Sequence, residues 1–268
     1  MINKDKMGVV GEMLPDYLVD VGNTSCKVMA VGSVDLVDLS LAAITRHLHE
    51  DFPPELRIPG KKVVLAGSNT QVLDLWCAKI TGAGSTARIL VRDDIPIKRE
   101  MVDPTTVGVD RLLVCLGAQV ENGPGPHLVV DAGTAITANF IDDLGRFRGG
   151  AIGPGMGVMN QSLARKASSL FEVEWNKVPA AFPASTTREA ISLGIHMAAT
   201  GFTREAWSRA QAEFPKCRLH LTGRDSTLIF PSVPEANLDP VMFFRGMLAA
   251  IGFFECKKNE ITAKKGPG

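Results

Sequence analysis

The chain has 268 residues, and its 29 Lys plus Arg balance 29 Asp plus Glu to a formal net charge of zero. With 45% hydrophobic and 22% charged residues, it reads as an ordinary globular protein of one large domain or two modest ones. The charge balance removes any global reason to expect nucleic acid or an anionic membrane as a partner.

In chain order, residues 1–15 read as a flexible leader, with Met7 and Met13 as alternative starts. An apolar strand follows from Tyr17 and ends in Asp20-Val21-Gly22-Asn23-Thr24. Ser25-Cys26-Lys27 then leads into a second strand-like run to Val31. Leu36, Leu39, Ala43 and Leu48 are spaced as a helix, with His47 and His49 on different faces of it. Val63–Ala66 reads as a buried strand, Val72–Ile80 as a helix, Ile89–Val91 as a strand and Arg111–Val120 as a helix. Asn122-Gly-Pro-Gly-Pro126 has linker composition, which places one domain at 1–122 and a second at 123–256, with a solvated tail over 257–268. The second half opens with a strand from Leu128 to Asp131-Ala-Gly133-Thr134-Ala135 and a following run to Ile141. Asp142-Asp-Leu-Gly145 is a turn signal, and Arg146–Ile152 a third strand. Met159, Leu163, Ala167, Leu170 and Phe171 form a helical stripe. Thr186 with Glu189 is a capping box that opens another helix. Arg218–Thr222 is a late strand. The most apolar helix, Val241–Phe254, is too short to span a bilayer and contains Arg245.

Cysteine usage agrees with a soluble chain in a reducing cytoplasm. Cys26, Cys77, Cys115, Cys217 and Cys256 are odd in number, widely spaced and form no CxxC, so they read as small buried hydrophobes. The five histidines form no metal-ligating cluster. No N-terminal stretch has the long apolar core of a signal peptide.

The two Asp-x-Gly segments lie 111 residues apart, close to half the chain, and each joins an apolar strand to a second strand. This points to a duplicated fold. In each, the glycine permits a tight turn and close backbone approach, and turn amides can line a phosphate. Asp20 at its strand end can hold Mg²⁺ directly or through water, and Lys27 has the reach to meet a phosphate. Gly133 and Thr134 can contact a second phosphate, and Asp131 a cation. The same residues also suit plain hairpin turns. Asp110 precedes an apolar helical run, which fits either a helix N-cap or a general base held ionised by the helix N-terminus. The run Gly149-Gly-Ala-Ile-Gly153-Pro-Gly155-Met-Gly157 lacks the spacing of a dinucleotide fingerprint. It fits either a cleft-lining loop or close strand–helix packing.

Taken together, DVGNTSCK (20–27), VGVDR (107–111), DAGTAITANFID (131–142), GGAIGPGMGVMNQSL (149–163), STTREAISLG (185–194) and LTGRD (221–225) resemble the type III pantothenate kinases, which also include the Bvg accessory factor. They form a branch of the acetate/sugar kinase, Hsp70 and actin superfamily. The resemblance implies an α/β fold of duplicated ribonuclease H-like (actin-like ATPase) domains around a central cleft. It also implies ATP-dependent phosphorylation of pantothenate to 4′-phosphopantothenate, the first step of coenzyme A synthesis, by a cytoplasmic homodimer with no nucleic-acid or membrane partner. Under it, Asp110 is the catalytic base. Asp20, Val21, Gly22, Asn23, Thr24, Ser25, Cys26, Lys27, Gly133 and Thr134 bind ATP. Gly108, Val109, Asp110, Arg111 and Thr187 bind pantothenate. Asp20 holds Mg²⁺, and Asp131 a monovalent cation, potassium or ammonium. The chain departs from the family pattern at Met101 (usually aromatic), Asn139 (usually acidic), Ala167-Ser-Ser-Leu-Phe171 (usually Thr-Ala-x-Leu-Pro) and Arg224 (usually glycine). Other roles open to the same scaffold are a catalytically weak accessory or regulatory protein, and a phosphatase or sugar kinase.

Overall fold

The computed structural model describes residues 14–32, 39, 44–101, 103–177 and 182–252. The first half of its chain runs β1 (Tyr17–Val21), β2 (Cys26–Ala30), β3 (Ile44–His47), β4 (Lys62–Gly67), α1 (Thr70–Gly82), β5 (Thr86–Ile89) and α2 (Val109–Asn122). The second runs β6 (His127–Ala132), β7 (Ala135–Ile141), β8 (Phe147–Pro154), α3 (Met156–Lys166), α4 (Thr187–Glu213), β9 (Arg218–Thr222), α5 (Ser226–Ile229), β10 (Asn237–Leu238) and α6 (Met242–Ala250).

These elements build two five-stranded sheets of one topology. The first has the order β3-β2-β1-β4-β5 and the second, read from the matching edge, β8-β7-β6-β9-β10. In the first, β1 pairs antiparallel with β2 and parallel with β4, β2 antiparallel with β3, and β4 parallel with β5. In the second, β6 pairs antiparallel with β7 and parallel with β9, β7 antiparallel with β8, and β9 parallel with β10. This is the duplicated ribonuclease H-like architecture that the sequence resemblance implies. β1 and β6 are central strands, which is why YLVDV and HLVVDA are nearly unbroken apolar runs up to their aspartates. The strands at the β3 edge alternate or lie half exposed.

The described residues form two compact units. One comprises those up to Pro96, Thr106–Val120 and those from Phe243 on; the other comprises Ile97–Thr105 and Glu121–Met242. A single cut after residue 122 misses two exchanges. Lys98 and Glu100 exchange backbone hydrogen bonds with Phe147 at the start of β8. Gly246 of α6 lies so close to the backbone of Leu113 in α2 that a Cβ would overlap the Leu113 carbonyl. Each unit has its own core. In the first, Trp76 of α1 is fully buried and meets Phe52 edge-on at 5.5 Å, packed with Val19, Val28 and Leu65 from the sheet. In the second, Ile191, Ile195 and Ala199, one turn apart on α4, pack on Val130 and Leu221.

Several sequence expectations move. The helix expected through Leu36, Leu39, Ala43 and Leu48 is replaced at its end by β3, whose Ile44 pairs with Met29 of β2. The open edge of β2 takes this segment as a third meander strand, and Leu39 is in no helix. Leu36, Ala43, the leader up to residue 13, Cys256 and the tail lie outside the described residues. β5 begins at Thr86, ahead of the expected Ile89. The stripe to Phe171 stops being helical at Lys166, and Phe171 instead lies under the Arg188 guanidinium, 4.8 Å from the ring centre. Cys26, Cys115 and Cys217 are buried and free, and burial pushes the Cys26 thiol up to about 12 and Cys217 to about 11. None of the described helices is long and apolar enough to cross a membrane.

The histidines do meet once. His127 of β6 and His220 of β9 are both fully buried, with ring nitrogens 2.9 Å apart. Burial lowers both, and with His127 and Arg218 nearby it brings His220 down to about 3. The folded state therefore favours neutral imidazoles, so their contribution is intact above the unfolded value of 6.5 and declines as pH falls from there toward about 3. The melting temperature should drop on acidification below pH 6.5, and His220→Leu should flatten that slope between pH 6.5 and 4. A variant as acid-sensitive as the wild type would contradict this.

Gly67 gives a second stability test. It sits at φ 152°, and a Cβ there would overlap the Val21 carbonyl. Gly67→Ala should cost about 2 kcal/mol or more in a denaturant titration. Gly82→Ala, built into open space at the end of α1, should stay within about 0.5 kcal/mol of wild type.

Candidate active site

In the first unit the Asp20 loop is a tight hairpin between β1 and β2. Gly22 N–H donates to the Ser25 carbonyl at 3.2 Å, and Asn23 and Thr24 stand exposed at the tip. Val21 and Cys26 are the last paired residues before the turn. Asp20 and Lys27 face each other across the register, and Lys27 Nζ donates to Asp20 Oδ2 at 2.6 Å. Asp20 is only 8% exposed, so this charge-assisted bond keeps a buried carboxylate neutralised. Behind the loop, Gly67 at the end of β4 presses on Val21. Ser68 and Asn69 N–H both donate to the Val21 carbonyl, at 3.1 and 3.4 Å, and Asn69 caps α1 by accepting from Val72. His49 reaches the loop from the segment after β3, with Nε2 2.9 Å from the Gly22 carbonyl.

Asp110 lies in the first turn of α2, one residue past its start, and its Oδ1 accepts from Arg111 N–H at 2.9 Å. It is thus inside the helix rather than its N-cap. Gly108 leaves the room it needs, because a Cβ there would overlap Asp110 Oδ1. The helix end is expected to lower this carboxyl, and the net shift runs the other way. Burial, helped by the nearby Asp20 charge, raises Asp110 above the ordinary 3.8 despite the bond from Arg111. Arg111 is itself drawn down by burial but keeps its charge. A carboxyl moved toward neutrality is better matched to accepting a proton in turnover.

In the second unit Asp131 pairs in register with Thr137, and Gly133 N–H closes the turn on the Ala135 carbonyl at 3.0 Å. Two glycines clamp this turn. Gly155 N–H donates to the Thr134 carbonyl at 3.0 Å, with no room for a Cβ against Gly133. Gly223, at φ 89°, abuts the Asp131 carboxylate and the Ala132 backbone. Gly150 likewise presses on Ala138. Much of the glycine run therefore serves close packing around β7 and its loop. Asp142 is fully buried and accepts from the N–H groups of Leu144 and Arg146; burial works to raise its carboxyl, and the bonds from Arg146 and Arg148 outweigh that and lower it. Asn139 is fully buried in β7 and donates to Thr137 Oγ1 at 2.9 Å and the Val129 carbonyl at 3.3 Å. Arg224 pairs with Asp225 at 2.8 Å and lies 5.3 Å over the Trp175 ring. Thr186 caps α4 with Glu189 in a capping box, and Thr187 is exposed as its first residue.

The structure thus groups residues 20–27, 108–111 and His49 in the first unit and 131–134, Gly155 and Gly223 in the second. Among the described residues no three His, Cys, Asp or Glu cluster as a metal site. One organising feature escaped the sequence reading. Leu65-Ala-Gly67-Ser-Asn69 and Leu221-Thr-Gly223-Arg-Asp225 are a second internal repeat, and they act alike. Each glycine closes on the residue after the loop aspartate, and each Asx N–H donates to that residue's carbonyl (Val21 or Ala132). The readable signal was a strand ending in glycine with Asn or Asp two residues later. His49 left no such signal.

A family model described as type III pantothenate kinase matches residues 17–209. The chain belongs to the type III pantothenate kinase family. It is 35% identical over 206 residues to the type III pantothenate kinase of Ectopseudomonas mendocina (69% of this chain, 83% of the relative). It is 32% identical over 209 residues to that of Synechococcus sp. strain JA-2-3B'a(2-13) (74% and 78%). Two solved structures share its fold at low identity. One is described as a Baf family transcriptional activator from Campylobacter jejuni, with TM-score 0.61 and 21% identity over 91% of this chain and 98% of that one. The other is described as a 2-dehydro-3-deoxygalactonokinase from Sinorhizobium meliloti, with TM-score 0.53 and 15% identity over 87% and 97%.

The raised Asp110 carboxyl makes a stability prediction of its own. The fold disfavours its ionised form, so Asp110 lowers stability above its raised folded pKa and has no such cost below the unfolded value of 3.8. Asp110→Asn should melt higher than wild type at pH 8, with the gap closing as pH falls toward 3.8. A variant that melts lower at pH 8 would mean that the bond to Arg111 N–H outweighs burial.

Proposed function

We propose that this protein transfers the γ-phosphoryl group of ATP to the 4′-hydroxyl of pantothenate, giving 4′-phosphopantothenate and ADP, the first step of coenzyme A synthesis. The observation that carries the reading is Asp110, a carboxyl raised by burial beside Asp20 in a chain of this family. Asp110 accepts the hydroxyl proton as that oxygen attacks the γ-phosphorus. Gly108, Val109 and Arg111 line the pantothenate site, with Arg111 toward the substrate carboxylate, and Thr187 contributes from the start of α4.

The Asp20–Lys27 and Asp131–Thr134 loops each bind phosphate through turn amides and side chains. Mg²⁺ neutralises phosphate charge when bound. Asp20 fits such a cation as one carboxylate donor, since its Oδ2 is already shared with Lys27, and water and phosphate oxygens complete the set. Asp131, beside the Gly223 backbone, is the residue for a monovalent cation, potassium or ammonium. A homodimer is supported by the exposed small and apolar stripe of α4: Ala190, Gly194, Met197, Ala198 and Gly201. The protein acts in the cytoplasm, with no nucleic-acid or membrane partner.

ATP turnover should require pantothenate and rise with potassium. Asp110→Asn should lower kcat by roughly 10²–10⁴-fold with circular dichroism unchanged. Pantothenate-independent hydrolysis would instead mark a phosphatase. Absence of both turnover and pantothenate binding would mark an accessory protein.

A further inference from the structure

We infer that His49 is a positioning residue that fixes the orientation of the Gly22–Asn23 peptide in the Asp20–Lys27 loop, and so which way that loop presents an N–H to a bound phosphate. This rests on reading the loop as phosphate-binding. His49 Nε2 lies 2.9 Å from the Gly22 carbonyl oxygen. A carbonyl only accepts, so Nε2 carries the proton and donates. The Gly22–Asn23 peptide is trans, the cis peptide bond among the described residues being Phe182-Pro183. In a trans peptide the C=O and the following N–H point in opposite directions. Drawing the Gly22 oxygen toward the imidazole therefore turns the Asn23 N–H away from it. Rotation of this peptide would exchange the two, putting an acceptor oxygen where the loop offers a donor. That replaces attraction for an anion by repulsion.

Gly22 has no side chain to resist such a rotation. The turn holds the other side of the residue, through the 3.2 Å bond from Gly22 N–H to the Ser25 carbonyl. The tip residues Asn23 and Thr24 are exposed. The imidazole, by contrast, is mounted on the core. The His49 carbonyl accepts from Nε1 of the fully buried Trp76 at 3.2 Å, and a tight turn follows, with Asp51 N–H donating to Leu48. The bond thus ties the Gly22–Asn23 peptide to α1 and the hydrophobic centre of its unit.

The test uses the full-length enzyme with His49→Ala and His49→Gln, since the Gln amide can place a donor near the Nε2 position. His49→Ala should raise KM for ATP, and the Kd for Mg·ADP measured by calorimetry, roughly 3- to 10-fold, the range of one net hydrogen bond. Its kcat and KM for pantothenate should stay within about twofold, and His49→Gln should recover most of the nucleotide affinity. An unchanged Kd in His49→Ala would overturn the inference. So would a Gln variant as weak as the Ala variant, or parallel losses in kcat, both KM values and melting temperature. Calorimetry separates this from the reaction itself. If the wild type binds Mg·ADP without phosphorylating pantothenate, the function fails and the difference between variants still decides the role of His49. If the wild type binds no nucleotide, the inference about the loop falls.

Discussion

Two backbone approaches that no side chain could tolerate govern both halves of this protein. Gly67 closes on Val21, and Gly223 closes on Ala132 and the Asp131 carboxylate. Each brings the end of a parallel neighbour strand against the residue that follows the loop aspartate. That contact decides where the turn begins, and with it where the carboxylate stands. The hydrogen bonds from Asn69 and Asp225 then seal the same carbonyls. With the loop base fixed, the hairpins need only short turns, closed by Gly22 and Gly133. The cross-strand partners of the aspartates, Lys27 and Thr137, are then set by register.

Around these fixed points the chemistry is set by burial as much as by residue type. Asp20 is tolerated in a central strand because Lys27 meets it, whereas Asp110 has its bond to Arg111 N–H and remains raised. Two carboxyls of one unit therefore differ by environment: Asp20 meets the Lys27 ammonium across the hairpin, and burial raises Asp110. Gly108 belongs to the same arrangement, since its missing side chain is the space that the Asp110 carboxylate occupies.

Much of this was legible in the sequence, and for identifiable reasons. The Asp-x-Gly repeat is local and periodic, so the duplication was visible at once, as were the capping box at Thr186 and the turn at Asp142. What was missed depends on partners distant in the chain. The segment around β3 looked helical because Leu36, Leu39, Ala43 and Leu48, all outside Ile44–His47, happen to fit that spacing, whereas pairing along the edge of β2 makes Ile44–His47 a strand. His49 meets Gly22 from 27 residues away. The direction of the Asp110 shift reflects desolvation, which motif spacing does not report. Asn139 and Arg224 stood out as departures, yet each has an ordinary partner set within the second unit: strand neighbours for Asn139, Asp225 and Trp175 for Arg224.

The shared strand order of the two sheets has a consequence for how this chain can change over time. Two copies of one unit on separate chains must mutate together. Copies fused in one polypeptide are released from that symmetry. The divergence is already visible at equivalent positions: lysine faces the aspartate in one copy and threonine in the other, and alanine precedes one strand-end glycine where threonine precedes the other. The same turn frame thus carries different side chains in the two units, while glycine stands at the strand end that holds each turn in place.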